Sequence, residues 1–212
     1  MVKIDKELDT MEANVMKMAR QVISMHEKVV EVLENPDREM ELEIMQADDI
    51  INHMEEEVND QAVRSLALLS PVASDLRKVV ADIKIASELE RIGDYAKNVA
   101  KYLLKQDAQF PHVLEYAQQM EKYMINMLQE TMKAYEERNV ESAFEIVKRD
   151  QYLNQLVKEI RARLKEESGE NLIEDVFVVS GMLRNIERAG DHIKNICEHI
   201  IYMMKGQHYD FG

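Results

Sequence analysis

The chain has 212 residues, one cysteine and a formal net charge of −14, with 46% apolar and 32% charged residues, a balance that predicts a water-soluble, well-buried fold of one large or two small domains. The acidic excess argues against nucleic acid or an anionic membrane held through a general basic field, because phosphate contacts need clustered Lys and Arg. A cationic partner, protein or metal, fits better.

Only 6 Gly, 3 Pro and no Trp interrupt long stretches rich in Glu, Lys, Leu, Met and Ala, which predicts an all-α protein with almost no strand. The start, Met1 to Asp9, lacks the apolar core and cleavage site of a signal peptide, and no segment approaches ~18 uninterrupted apolar residues. The expectation is a protein neither exported nor inserted in a membrane. Breakers at Asn35-Pro36-Asp37, Ser70-Pro71, Phe110-Pro111, Arg138-Asn139, Ser168-Gly169 and Gly206 divide the chain into six helices. Ser70 reads as an N-cap with Pro71 at the first helical position, and Lys205-Gly206 as a basic last turn followed by a C′ glycine. The sixth helix, roughly Asn171 to Lys205, would be about 50 Å long at ~1.5 Å per residue. Met11, Met18, Met25, Met120, Met124 and Met127 recur at helical spacing and read as core, as does Cys197 in the last helix.

Glu90-Arg-Ile-Gly-Asp-Tyr-Ala-Lys-Asn98 returns 97 positions later as Glu187-Arg-Ala-Gly-Asp-His-Ile-Lys-Asn195, with six of nine residues identical and all six polar or glycine. Earlier in each half, Asp48-Asp-Ile-Ile-Asn52-His-Met54 lies against Asp150-Gln-Tyr-Leu-Asn154-Gln-Leu156 at an offset of 102. Two tandem three-helix bundles related by a pseudo-twofold axis, residues 1–109 and 110–212, follow from this duplication. A repeated apolar stripe needs only a repeated fold; a repeated set of Glu, Arg, Gly, Asp, Lys and Asn implies repeated chemistry.

At ~100° per residue, Glu90, Asp94 and Asn98 lie nearly opposite the apolar stripe of Leu89, Ile92, Ala96 and Val99, and the second copy repeats the arrangement with Glu187 and Asp191. Asp48 with Asn52 and Asp150 with Asn154 add an i, i+4 pair of oxygen donors on the second helix of each half. Like charges at that spacing repel by a few tenths of a kcal/mol, and a bound cation reverses the sign. All-oxygen ligation suits magnesium, manganese, calcium or iron better than a structural zinc. Lys97, Lys194, Arg91 and Arg188 read as intrahelical ion-pair partners. Gly93 and Gly190, each costing ~1 kcal/mol against alanine inside a helix, imply close helix approach. His192 and His199 fall about 20° apart on one helix and read as rim residues, with auxiliary metal ligation as the alternative.

Leu89-Glu-Arg-Ile-Gly-Asp94 and Ile186-Glu-Arg-Ala-Gly-Asp-His192, with Asp75-Leu-Arg77 upstream and the ending Ile200-Ile-Tyr-Met-Met-Lys-Gly206, resemble the PhoU family across essentially the whole chain. The resemblance implies a cytoplasmic, non-enzymatic, homodimeric negative regulator of phosphate uptake. Its implied partners are the ATPase subunit of a phosphate-specific transporter and a phosphate-sensing histidine kinase. It also implies multinuclear clusters of divalent or ferric metal ions (iron, zinc, manganese or magnesium) held by Glu90, Asp94, Glu187 and Asp191 with Asp48 and Asp150. Asn52 and Asn154 stand where further acids would strengthen such clusters.

Two other readings compete. A ferritin-like di-iron oxidase needs Glu-x-x-His pairs directed into the core, and the chain has no Glu-x-x-His. A metal-free helical adaptor would use the same acidic faces to bind a basic partner protein.

Overall fold

The computed structural model describes residues 2–105, 111–167 and 172–211. Six helices follow one another: α1 (Val2–Glu34), α2 (Arg38–Leu69), α3 (Ser74–Leu103), α4 (Pro111–Glu136), α5 (Val140–Glu167) and α6 (Leu172–Lys205). Among the described residues there is no strand. The breaker at Ser168-Gly169 and the residue Phe110 lie outside the described residues.

Local chemistry sets the helix ends. Asp37 opens α2 by accepting from the amides of Glu39 at 2.9 Å and Met40 at 3.2 Å, which satisfies two of the orphan donors of the first turn. Between α4 and α5, Arg138 takes a positive φ of 53°. The Asn139 amide then returns to Ala134 O at 2.8 Å and that of Arg138 to Tyr135 O at 3.2 Å, the paired bonds of a Schellman motif. Asn139 also opens α5, accepting the Ser142 amide at 3.0 Å. Gly206 closes α6 at φ 68°, as expected of a C′ glycine.

Ser70 does not cap α3. It terminates α2 in the left-handed region, at φ 47° and ψ 58°, and α3 begins four residues later behind Ala73, which supplies no side-chain cap. Proline disfavours helical geometry in the residue before it, so Pro71 acts on α2 as a stop rather than on α3 as a start.

Within each half the three helices pack on one another, α1 with α2 and α3, and α4 with α5 and α6. Between the halves, α1 packs on α4 and α3 on α6, while among the described residues α2 and α5 each touch only their own half. Helices that meet their own equivalents are the mark of a twofold relation, so the molecule is two tandem three-helix bundles about a pseudo-twofold axis. Met11, Met18, Met120, Met124 and Met127 are fully buried and Met25 nearly so, and Cys197 is buried with them. Burial pushes the Cys197 thiol up to about 12.

Among the described residues, two buried polar clusters join the halves. His26 of α1 places Nδ1 2.8 Å from Glu121 Oε2 of α4 and Nε2 2.9 Å from the Ile92 carbonyl of α3. At one end of the bundle, Lys78 of α3 binds Asp82, Glu12 of α1 at 2.9 Å and the Tyr135 hydroxyl of α4 at 3.0 Å, and Tyr135 donates to Asp82 at 2.6 Å.

Candidate metal centre

The two signature segments meet at the pseudo-axis. Tyr95 on α3 and His192 on α6, equivalent in the repeat, touch with ring centroids 5.4 Å apart and with Tyr95 Oη 3.1 Å from His192 Nε2. From that seam each signature helix turns its carboxylates toward the outer helix of its own half, α2 or α5.

In the first half, Glu90 and Asp94 of α3 are partly buried, with side chains 19% and 32% exposed, and Asp48 of α2 is almost enclosed at 2%. The carboxylates therefore line a groove rather than stand on an open face. Lys97, one turn beyond Asp94, reaches across to α2 and sits 2.6 Å from Asp48 Oδ2 and 3.4 Å from Asp94 Oδ1. Arg91 makes the intrahelical contacts the sequence suggests, 3.4 Å to Glu90 and 3.9 Å to Asp94. Asn52 donates to Asp48 Oδ2 at 3.4 Å. Burial raises Glu90 above the ordinary carboxylate value, and Asp94, Glu55 and Asp48 add to the rise against the opposing charge of Arg91. Hydrogen bonding to Asp48 raises Lys97.

The second half repeats the plan with longer lysine–aspartate distances. Lys194 stands 4.0 Å from Asp150 Oδ2 and 3.7 Å from Asp191 Oδ1, and Asn154 donates to Asp150 Oδ2 at 2.9 Å. Burial raises Asp150, and the charges of Asp191 and Glu187 add to it. Gly93 and Gly190 supply the close approach. A Cβ on Gly93 would meet Ile51 at 3.5 Å, and one on Gly190 would meet Leu153 Cδ1 at 2.8 Å and Asp150 Oδ1 at 3.2 Å.

Each half thus assembles its own four predicted donors on two neighbouring helices: Asp48, Asn52, Glu90 and Asp94, or Asp150, Asn154, Glu187 and Asp191. Among the described residues, no group of three His, Cys, Asp or Glu side chains is arranged to hold a metal ion as the side chains stand, and the cation nearest the first set is the Lys97 ammonium. The oxygens nevertheless fit a hard cation. Among the described residues, four buried side-chain polar atoms lack a hydrogen-bond partner, and three of them are Asp48 Oδ1, Asn52 Oδ1 and Asp150 Oδ1. An unsatisfied buried acceptor costs about 1–3 kcal/mol, and oxygen donors of this kind are what magnesium, manganese or iron coordinate.

His192 and His199 are not idle rim residues. His192 Nδ1 lies 2.5 Å and His199 Nε2 3.5 Å from the Glu88 carboxylate of α3, to which Asn195 also donates at 3.2 Å. Burial opposes the charged form of Glu88, but these hydrogen bonds hold its carboxyl down at about 2. Sequence reasoning missed Glu88, because its counterpart at the 97-residue offset is Asn185 and the repeat gives no signal there.

The family model for the PhoU domain matches twice, over residues 15–103 and 117–200. The chain belongs to the PhoU family. It is 30% identical over 98% of its length to the phosphate-specific transport system accessory protein PhoU homolog of Clostridium acetobutylicum, covering 97% of that protein. It is 29% identical over 98% of its length to the PhoU accessory protein of Escherichia coli, covering 87% of it. The crystal structure of the phosphate transport system regulatory protein PhoU from Streptococcus pneumoniae superposes with a TM-score of 0.90 at 27% identity, covering 98% of this chain and all of that one. PhoU from Pseudomonas aeruginosa gives 0.89 at 28% identity, covering 96% of this chain and 99% of that one.

Proposed function

We propose that this PhoU-family chain is a non-enzymatic accessory protein of a phosphate-specific transport system, acting in the cytoplasm as a homodimer. In this reading it restrains the transporter through its ATPase subunit and restrains phosphate-starvation signalling through a sensor histidine kinase. Metal ions on the acidic ladders fix the relative position of α2 and α3, and of α5 and α6. Glu90, Asp94, Asp48 and Asn52 would hold one site and Glu187, Asp191, Asp150 and Asn154 the other. The metal would supply fixed positive charge that relieves the repulsion among these oxygens.

The observation that carries the metal component is the pair of buried aspartate oxygens, one per half, left without a partner. The accessory role is supported by membership of the family over almost the whole chain.

One geometric fact favours a second reading. Lys97 already neutralises Asp48 at 2.6 Å, so a metal-free adaptor whose remaining acidic surface binds a basic partner is self-consistent. Co-purification with the transporter's ATPase subunit, with and without chelator, separates the two. The metal reading predicts that chelation weakens the complex and lowers the thermal midpoint, because loss of a ligand bound to the native state destabilises it by mass action. Capture unchanged by chelation supports the adaptor, and absence of any complex in either condition removes the transporter role.

A further inference from the structure

Beyond Gly206, which turns the chain at φ 68°, residues 207–211 run back over α5 and α6 as an irregular segment. The rings of Tyr209 and Phe211 stand edge-on to Phe144 of α5, with centroids 5.2 and 5.8 Å away, and stack on one another at 6.0 Å. The Phe211 amide donates to Glu198 Oε1 of α6 at 2.9 Å, and His208 stacks on Tyr202 at 4.2 Å. Aromatic residues two apart fall on one side of an extended segment, which is why both rings reach the same partner.

The fold does not require this cover. Helices α2 and α5 begin at equivalent positions, Arg38 and Val140, so Phe144 corresponds to Leu42 at the 102-residue offset. Leu42 is 45% exposed, and the first bundle stands with that position open to water. Glu198 corresponds to Lys101 at the 97-residue offset, so the first half lacks the acceptor as well as the aromatic platform. The second half combines a phenylalanine, a carboxylate that takes a backbone amide, and the Lys205 ammonium 5.0 Å over the phenylalanine ring.

We propose that residues 207–211 are a releasable strap over a docking site centred on Phe144, and that the site takes an extended segment of another protein with aromatic residues at i and i+2. The amide of that segment replaces the Phe211 amide on Glu198, and its two rings replace Tyr209 and Phe211. The strap displays the chemistry of the ligand because it occupies the site itself. Tethered through Gly206, it acts at an effective concentration on the order of 1 mM. A segment of equal intrinsic strength, with a free dissociation constant of about 0.1 mM, is therefore held off about tenfold. A ligand that binds more strongly than the strap, or one concentrated locally by other contacts, opens the site. The site uses none of the ladder residues and does not depend on metal.

The test uses the whole 212-residue chain and a fluorescein-labelled peptide, Lys-Gly-Gln-His-Tyr-Asp-Phe-Gly, the sequence of residues 205–212. Fluorescence anisotropy is compared for wild type, for a strap variant with Tyr209→Ser and Phe211→Ser, and for that variant carrying Phe144→Ala or Glu198→Gln. Circular dichroism follows helix content in each. The strap variant is expected to keep its helix content and to bind the peptide about tenfold more tightly than wild type. Adding Phe144→Ala should weaken that binding by about tenfold, and adding Glu198→Gln by about threefold, since the amide then meets a neutral acceptor. A peptide with both aromatic residues replaced by serine should not bind. Equal peptide affinity in wild type and strap variant, or binding insensitive to both Phe144→Ala and Glu198→Gln, would overturn the proposal. So would loss of helix content in the strap variant, because the cover would then be a requirement of the fold. If light scattering shows a wild-type dimer that the strap variant cannot form, the occupant is the same segment of a second copy, and the assignment to another protein fails.

Discussion

The two ladders share their motif and stand on equivalent helices, yet Lys97 lies 2.6 Å from the aspartate of its outer helix and Lys194 lies 4.0 Å from the equivalent one. The residue facing the signature glycine differs between them. It is Ile51 opposite Gly93 and, at the equivalent position, Leu153 opposite Gly190. Leucine reaches to 2.8 Å of the Cβ position of its glycine, and Asp150 lies beside it at 3.2 Å, whereas Ile51 stops at 3.5 Å. Across the axis the second copy carries His192 where the first carries Tyr95, and His192 meets Glu88 together with His199. Identical ligands therefore need not make identical sites, because apolar neighbours and the seam between the halves set how the ligands stand.

Four expected outcomes break or sharpen that comparison. The largest concerns the pair that couples the halves. Glu121→Leu strands the buried His26 and should cost about 3–5 kcal/mol in chemical denaturation, while the double variant with His26→Leu should recover most of the loss. Next come the two glycines, for which opposite signs are expected. Gly190→Ala must move a fully buried leucine and crowd Asp150, a net loss of roughly 1–2 kcal/mol. Gly93→Ala meets ordinary contact and should stabilise by up to about 1 kcal/mol through helix propensity.

A smaller effect appears in the acid limb of the stability curve. The folded pKa of Glu88, about 2, lies below its ordinary value of 4.5. Its contribution is thus complete above about 4.5 and fades as the pH falls toward 2. Glu88→Gln should flatten the stability loss in that window, costing most at neutral pH and least near pH 2, readable from urea midpoints at several pH values. The smallest is Cys197→Ala. Alanine already fills the equivalent position, Ala100, and the exchange should cost about 1 kcal/mol or less. The wild-type thiol, pushed up to about 12 by burial, should react with a thiol reagent at pH 8 only as the protein unfolds.

The helices and the duplication were legible because they rest on local rules. Asn35-Pro36-Asp37, Arg138-Asn139 and Gly206 end or begin helices where their chemistry places them. Ser70-Pro71 misled, since one dipeptide can stop the helix before it as readily as start the next, and sequence alone gives no arbiter. The clustering of four oxygen-bearing side chains in each half was legible from the repeat, and their groove was not, because the depth of Asp48 and Asp150 depends on how α2 and α5 pack. The cross-helix reach of Lys97 was hidden by its intrahelical neighbour Asp94, which explains the residue adequately in one dimension. His26, Asp82 and Glu121 did carry a signal, being charged or polar residues within apolar stripes, and each proved to be a buried tie between helices or halves.

The central claim is that the ladders take metal. Elemental analysis by mass spectrometry of the purified protein, beside a variant with Glu90, Asp94, Glu187 and Asp191 all changed to alanine, tests it most directly. The account predicts stoichiometric iron, manganese, magnesium or zinc in the wild type and its loss in the variant. A wild type that is empty and also resists reconstitution would contradict it.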